Sequence, residues 1–194
     1  IGSNIADYLI KPVNPNQIWI CLKKNTENVK IVSEKKTMDY QQAFRNISMK
    51  ISDHLSVNEW EELYKELVYW ELALENIEDP GISEILAQQK EEANTQFARF
   101  IMKNYINWLN GKGDDKPILS HTALKEKVFP SISEKQPVFL FVIDNLRYDQ
   151  WKSIQPFIHN YFYVENEDIH YSILPTATHY ARNALFSGLL PSEI

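Results

Sequence analysis

From Asp39 onward the apolar residues Tyr40, Phe44, Ile47, Ile51 and Leu55 recur at three- and four-residue spacing, which lines them up along one stripe of a helix. A second helix is predicted to start at Ser56. There Ser56-Val57-Asn58-Glu59 has the form of a capping box, in which a hydroxyl and a carboxylate reciprocally satisfy free backbone amides. Trp60, Leu63, Tyr64, Leu67, Trp70 and Leu74 then share its inner face. Asp79-Pro80 supplies a cap and a first-turn proline for a third helix, whose stripe runs through Ile82, Leu86, Phe97, Phe100, Ile101, Tyr105 and Trp108 until Gly111 and Gly113 stop it. Three helices in series predict a bundle, with Trp60, Trp70 and Trp108 in its core.

The pattern differs on either side. The short apolar run from Ile5 to Ile10 reads as a strand that finishes at Lys11-Pro12, because proline cannot donate to a sheet ladder. Asn14-Pro15 opens a short amphipathic helix over Asn16 to Lys24, and the polar, Lys-rich stretch 25–37 reads as a connector. Beyond the Gly-Lys-Gly-Asp-Asp break, Val138 to Ile143 is a continuous apolar run suited to a strand buried on both faces of a parallel sheet. A helix through Trp151 and Ile154, strands at Phe157 to Val164 and Ile169 to Leu174, and a helix from Thr178 to Leu189 follow. The expected fold class is α/β with a central all-α part. Its expected divisions are residues 1–25, a linker over 26–38, a bundle over 39–113 and an α/β beginning over 114–194.

Composition narrows the function classes. With 44% hydrophobic and 24% charged residues the chain is globular, which excludes disorder and collagen. The run from Val138 to Ile143 is far short of the ~20 apolar residues a membrane span needs. Cys21 is the single cysteine, so no intrachain disulfide forms, and the expected compartment is the cytoplasm. Twenty Lys and Arg against 26 Asp and Glu give a net charge of −6, a poor surface for non-specific nucleic-acid binding. The chain opens on Ile1 rather than Met, and the expectation is a slice of a longer protein.

Two constellations carry candidate chemistry. Asp144 ends the apolar run at 138–143, where open α/β sheets gather their ligands. It is placed either to hold a metal ion or a polar substrate group, or to cap the following helix. Thr178 follows a second apolar run and opens a helix, where a hydroxyl and free amides together face an anion. Threonine is a weak nucleophile unless its hydroxyl is ionised, commonly by a metal. Arg182, one turn later, could brace a phosphoryl oxygen bidentately. The alternative is a plain cap, in which Thr176 or Thr178 simply starts the helix and Arg182 lies on its surface. His121 and His159 lack partners at metal-ligand spacing, and His179 stays outside the site.

The segment from Thr178 to Gly188 resembles the nucleophile segment of the alkaline phosphatase superfamily, in which a Ser, Thr or modified Cys heads a helix that a Ser/Thr-Gly pair closes ten positions on. An arginine four residues after the nucleophile, as in sulfatases, and a Pro-Thr-x-Thr lead-in, as in nucleotide pyrophosphatases, are both similar to Pro175 through Arg182. Phe141 through Trp151 together with this segment looks most like the PglZ branch. The resemblance implies that Asp144 and Thr178 share a zinc ion, with two zinc ions in the full domain, and that Thr178 attacks phosphorus to give a phospho-threonine while Arg182 stabilises the transition state. Further Asp and His ligands would lie beyond Ile194.

At the amino end, Ala6-Asp7-Tyr8-Leu9-Ile10-Lys11-Pro12 is similar to the last strand of CheY-like receiver domains, in which the lysine contacts the phosphoryl group of the phosphorylated aspartate. Read from the residues alone, Lys11 is a solvated lysine before a turn. Receiver tail, helical bundle and PglZ beginning, in that order, resemble PorX-type response regulators. That resemblance implies a cytoplasmic, phosphorylation-dependent homodimer driven by a sensor histidine kinase. Its zinc-dependent phosphodiesterase or phosphatase would act on nucleotide or oligonucleotide phosphodiesters and regulate type IX secretion, with a sigma factor or a secretion component as partner. The rival expectation is a non-catalytic signalling scaffold that binds a protein such as a sigma factor.

Overall fold

Pro15–Ile51 form one helix, α1, of 37 residues. The computed structural model describes residues 15–194 except 53, 78, 114 and 134–136, so the expected strand at 5–10 and Lys11 lie outside the described residues. Residues 25–37, expected as a connector, are helical throughout and join 16–24 to the bundle stripe without a break. No glycine or proline interrupts positions 16–51, and the polar stretch carries its own local support. Lys23 pairs with Glu27 at 3.7 Å and Lys30 with Glu34 at 3.8 Å, each one turn apart. The stripe is buried at Tyr40, Ile47 and Ile51, while Ile18, Leu22, Val29 and Val32 on its amino-terminal continuation are exposed.

Helix α2, Val57–Leu74, begins with the expected capping box. The Ser56 hydroxyl accepts from the Glu59 amide at 3.3 Å, and Glu59 Oε2 accepts from the Ser56 amide at 2.8 Å. The Ser56 hydroxyl also donates to Glu59 Oε2 at 2.7 Å, and this bond, with that from the Ser56 amide, holds the Glu59 carboxyl below its ordinary range. Helix α3, Pro80–Leu109, is capped by Asp79, whose carboxylate accepts from Gly81 and Ile82 at 2.9 and 3.3 Å. The three helices enclose Tyr40, Ile47, Ile51, Trp60, Leu63, Leu67, Trp70, Leu74, Ile82, Leu86 and Ala93.

One polar side chain sits inside this core, fully bonded. Gln89 Oε1 accepts from the Tyr40 hydroxyl at 3.2 Å, and its amide donates at 3.0 Å to both the Phe44 carbonyl and the Ser48 hydroxyl. Burial pushes the Tyr40 phenol up to about 12. A satisfied network of this kind fixes the mutual register of α1 and α3, because any slip would strand a buried polar group.

A short helix α4, Ser120–Ala123, runs on through a π turn, Leu124–Val128, and a 3-10 turn, Phe129–Ser131. Helices α5, Tyr148–Ile158, and α6, Thr178–Ser187, complete the order. Helix α5 packs on α2, and α6 packs on α4. Gly188 ends α6 in the left-handed conformation, φ 70°, that a side chain with a Cβ rarely adopts.

The carboxy-terminal region corrects three expectations. Among the described residues there is no β-strand, so they show the helical central part and not the α/β part of the expected fold. Val138 to Ile143 has no regular secondary structure and no ladder, and its apolar side chains are exposed, Phe141 at 83%. A strand buried on both faces needs neighbours on each side and layers above and below, and the described residues supply none. Of the expected strand at 157–164, Phe157 and Ile158 close α5, 159–161 form a turn, and 162–164 join no sheet ladder. The stretch 169–174 makes a single parallel bridge, Leu119 with Tyr171. No helix of the described residues is long and apolar enough to cross a membrane.

Candidate functional site

Segment 171–178 is held from three sides before it delivers Thr178 to the start of α6. Tyr171 exchanges backbone bonds with residues 118 and 120, its amide donating to the Ile118 carbonyl at 2.8 Å and its carbonyl accepting from the Ser120 amide at 3.1 Å. The Ile173 amide donates to the buried Ser120 hydroxyl at 3.2 Å, and the Leu174 amide donates to the Tyr105 hydroxyl of α3 at 2.6 Å. Tyr171 also stacks edge-on against Phe97 and Trp108, with ring centroids 5.7 and 5.8 Å apart. A second core of Val57, Trp108, Leu119, Ile173 and Ala184 therefore joins the bundle to α6.

Thr178 occupies the first position of α6, after Ala177, and neither residue's side chain caps the helix. Thr178 starts the helix and Arg182 lies exposed on its surface, an arrangement common to the helix-start and the nucleophile readings. Its hydroxyl is exposed at the helix amino terminus, the end that favours negative charge. Arg182, one turn on, points its guanidinium at Asp144, with Nη1 to Oδ2 at 3.8 Å. Asp144 stands in a turn with Asn145, whose φ of 58° is left-handed. It does not cap α5: Gln150 accepts from the Arg147 amide there, at 3.1 Å. Both Asp144 and Arg182 are more than half exposed, so their attraction is screened and weak.

A cavity of about 370 Å³ lies behind this segment. Trp60, Leu63 and Leu67 of α2 and Phe97 and Ile101 of α3 form its apolar walls, and Tyr105, Tyr171 and Thr176 border it. Glu61, at its edge, is raised above the ordinary carboxylate range, chiefly by burial.

Beside it, Glu167 ties the loop after α5 back to that helix. Its carboxylate accepts from the Tyr148 hydroxyl and the Trp151 indole at 2.7 Å each and from Lys152 at 3.1 Å. Burial works to raise its pKa, but these bonds outweigh it and the group lies below the ordinary range.

The structure thus brings Asp144 and Arg182 together and sets Thr178 on the helix that carries the arginine. His121 has a buried Nδ1 with no partner in the structure, and burial pushes the ring's pKa down, which favours its neutral form. Tyr105 and Glu167 escaped the sequence reading as site-shaping residues. Tyr105 sits on the apolar stripe of α3, where only its hydroxyl hints at a second role.

Family comparisons fall on the same two regions. Residues 30–109 match the model of the PorX response regulator linker domain. Residues 123–193 match the model of the BREX system PglZ alkaline phosphatase-like domain. In that order the two matches fit the PorX-type architecture. In this arrangement the PorX-type linker is α1 from its middle onward together with α2 and α3, and the alkaline phosphatase-like part holds Asp144, Thr178 and Arg182. No curated protein matches the chain.

Whether these residues fit zinc is a question of donors. Asp144 and Thr178 offer hard oxygen ligands suited to a divalent cation, but among the described residues no three His, Cys, Asp or Glu side chains converge. Asp144 and Thr178 fit a share of a zinc site and not a whole one.

Proposed function

We propose that this protein is a response regulator whose output is hydrolysis of a phosphodiester, with Thr178 as the nucleophile and Arg182 as the phosphoryl brace. The observation that carries this reading is the exposed Thr178 at the head of α6, one turn from an arginine that already faces the carboxylate of Asp144. Thr178 Oγ1 would form a new bond to phosphorus as the bond from phosphorus to the leaving oxygen breaks, giving a threonyl phosphoryl ester that water later cleaves. The amino-terminal amides of α6 and the guanidinium stabilise charge on the non-bridging oxygens. Zinc, when bound with Asp144 as one of its ligands, would lower the pKa of the threonine hydroxyl.

The substrate class is a nucleotide or short oligonucleotide phosphodiester. An acidic protein handles such an anion only through local positive charge, which Arg182 and a metal ion would supply. The remaining elements of the proposal are a sensor histidine kinase acting on a receiver that includes Lys11, a cytoplasmic location, and a role in type IX secretion with a sigma factor or secretion component as partner. Phosphorylation would promote a homodimer, and the exposed stripe of Ile18, Leu22, Val29 and Val32 on α1 supports a helix partner in that region.

The test is a chromogenic phosphodiester assay with metal analysis on the full-length protein. Thr178→Val is expected to lower kcat by at least about a thousandfold with zinc content retained. Wild-type turnover in that variant would overturn the nucleophile. A protein with neither zinc nor activity would leave the non-catalytic scaffold as the better reading.

A further inference from the structure

The contact from α3 to the segment preceding Thr178 crosses from the linker match into the alkaline phosphatase-like match, 69 positions apart in sequence. The Leu174 amide donates to Tyr105 Oη at 2.6 Å, and only Pro175, Thr176 and Ala177 separate Leu174 from Thr178. We infer that Tyr105 is a positioning residue: the linker helix uses its hydroxyl to hold the backbone that sets Thr178 at the head of α6. This inference rests on the proposed reaction of Thr178 and adds to it a residue contributed from outside the phosphatase-like part.

Three observations make Tyr105 the place where linker geometry reaches the nucleophile. First, the other holds on this segment, at Tyr171 and Ile173, run mainly to residues 118–120, whereas the hold on Leu174, nearest to Thr178, comes from α3. Second, Tyr105 is anchored on its own side. Its ring packs with the core of Val57, Trp108, Leu119, Ile173 and Ala184, so the hydroxyl cannot swing without disturbing buried residues. Third, Thr176 borders the same cavity as Tyr105, Phe97 and Trp60, so a shift of α3 against α2 changes the wall on which the segment lies.

A hydroxyl that accepts one backbone amide contributes little to overall stability but fixes a direction. Small misplacement of a reacting group costs rate far more than it costs binding. The linker is thereby a wall of the phosphatase-like site rather than a tether. A signal that moves α3 alters kcat through Leu174 without any contact to substrate.

Tyr105→Phe removes the acceptor and keeps the ring. In the full-length protein it is expected to speed hydrogen exchange in the peptide spanning residues 174–178 and to lower kcat for a chromogenic phosphodiester about tenfold at unchanged KM and unchanged melting temperature. Tyr69→Phe, which removes an exposed hydroxyl from α2 away from this segment, is expected to leave kcat unchanged. Wild-type exchange or wild-type kcat in Tyr105→Phe would overturn the inference, as would an equal loss of kcat in Tyr69→Phe. Thr178→Val, measured alongside, reports on the underlying reaction separately. Loss there with no effect at Tyr105 removes only the positioning role, and wild-type kcat there removes the nucleophile whatever Tyr105 does.

Discussion

The linker and the phosphatase-like region solve the burial problem in opposite ways. The linker's main core is built wholly from residues 40–93 on α1, α2 and α3, which close around one another and leave Gln89 as a fully bonded polar pin. Ile173 and Ala184, buried in the phosphatase-like region, lie instead in a cluster with Val57 and Trp108 of the linker, and the region's most apolar run faces outward. A helix satisfies its backbone locally and needs only one covered stripe, so neighbouring helices in a chain suffice. A central strand needs partners on two edges and layers on two faces. The one region holds itself together, and the other is held by leaning on it.

That contrast breaks most readily by truncating one residue of each kind in the chain of 194 residues. Leu63, 1% exposed in the linker core, should cost about 3 kcal/mol as alanine. Phe139, 77% exposed, should cost under about 0.5 kcal/mol despite its larger ring. Urea unfolding curves with unchanged slope measure both, and equal losses would erase the distinction.

A smaller effect tests how the phosphatase-like region clings to the bundle. Helix α5 packs on α2, Tyr64 and Tyr148 bring their rings to 5.7 Å, and Glu167 ties the far side of α5. Because the folded pKa of Glu167 is depressed, the stability it contributes is present above the ordinary glutamate value and is lost as pH falls through the folded one. That places the loss below about pH 4. Tryptophan fluorescence should therefore show an acid transition in the wild type that Glu167→Gln lacks, the variant being weaker by about 1 kcal/mol at neutral pH. An identical acid transition in both would mean that α5 is held by its ring contacts alone.

The same division decided what could be read from sequence. Ser56 with Glu59, and Asp79 with Pro80, announced the starts of α2 and α3 because caps are local chemistry, and the apolar stripes named most of the core. The helix through residues 25–37 was missed because its signal is an absence of breakers and two exposed Lys–Glu pairs, not an apolar period. The strand at 138–143 was over-read, since composition shows what a run could pack against and not whether a partner is there. In the site, the helix opened by Thr178 followed from its local pattern, while the approach of Arg182 to Asp144 is a contact that no spacing announced. Tyr105 did not, because a residue 69 positions away that serves both as core ring and as hydrogen-bond acceptor looks like core alone.

The most direct measurement is a rapid acid quench of the full-length protein with a nitrophenyl phosphodiester, followed by mass analysis of the peptide that carries Thr178. A burst of nitrophenolate stoichiometric with protein should coincide with a phosphoryl ester on Thr178. The same burst with Thr178 unmodified, or with the ester on another residue, would contradict its role as the nucleophile.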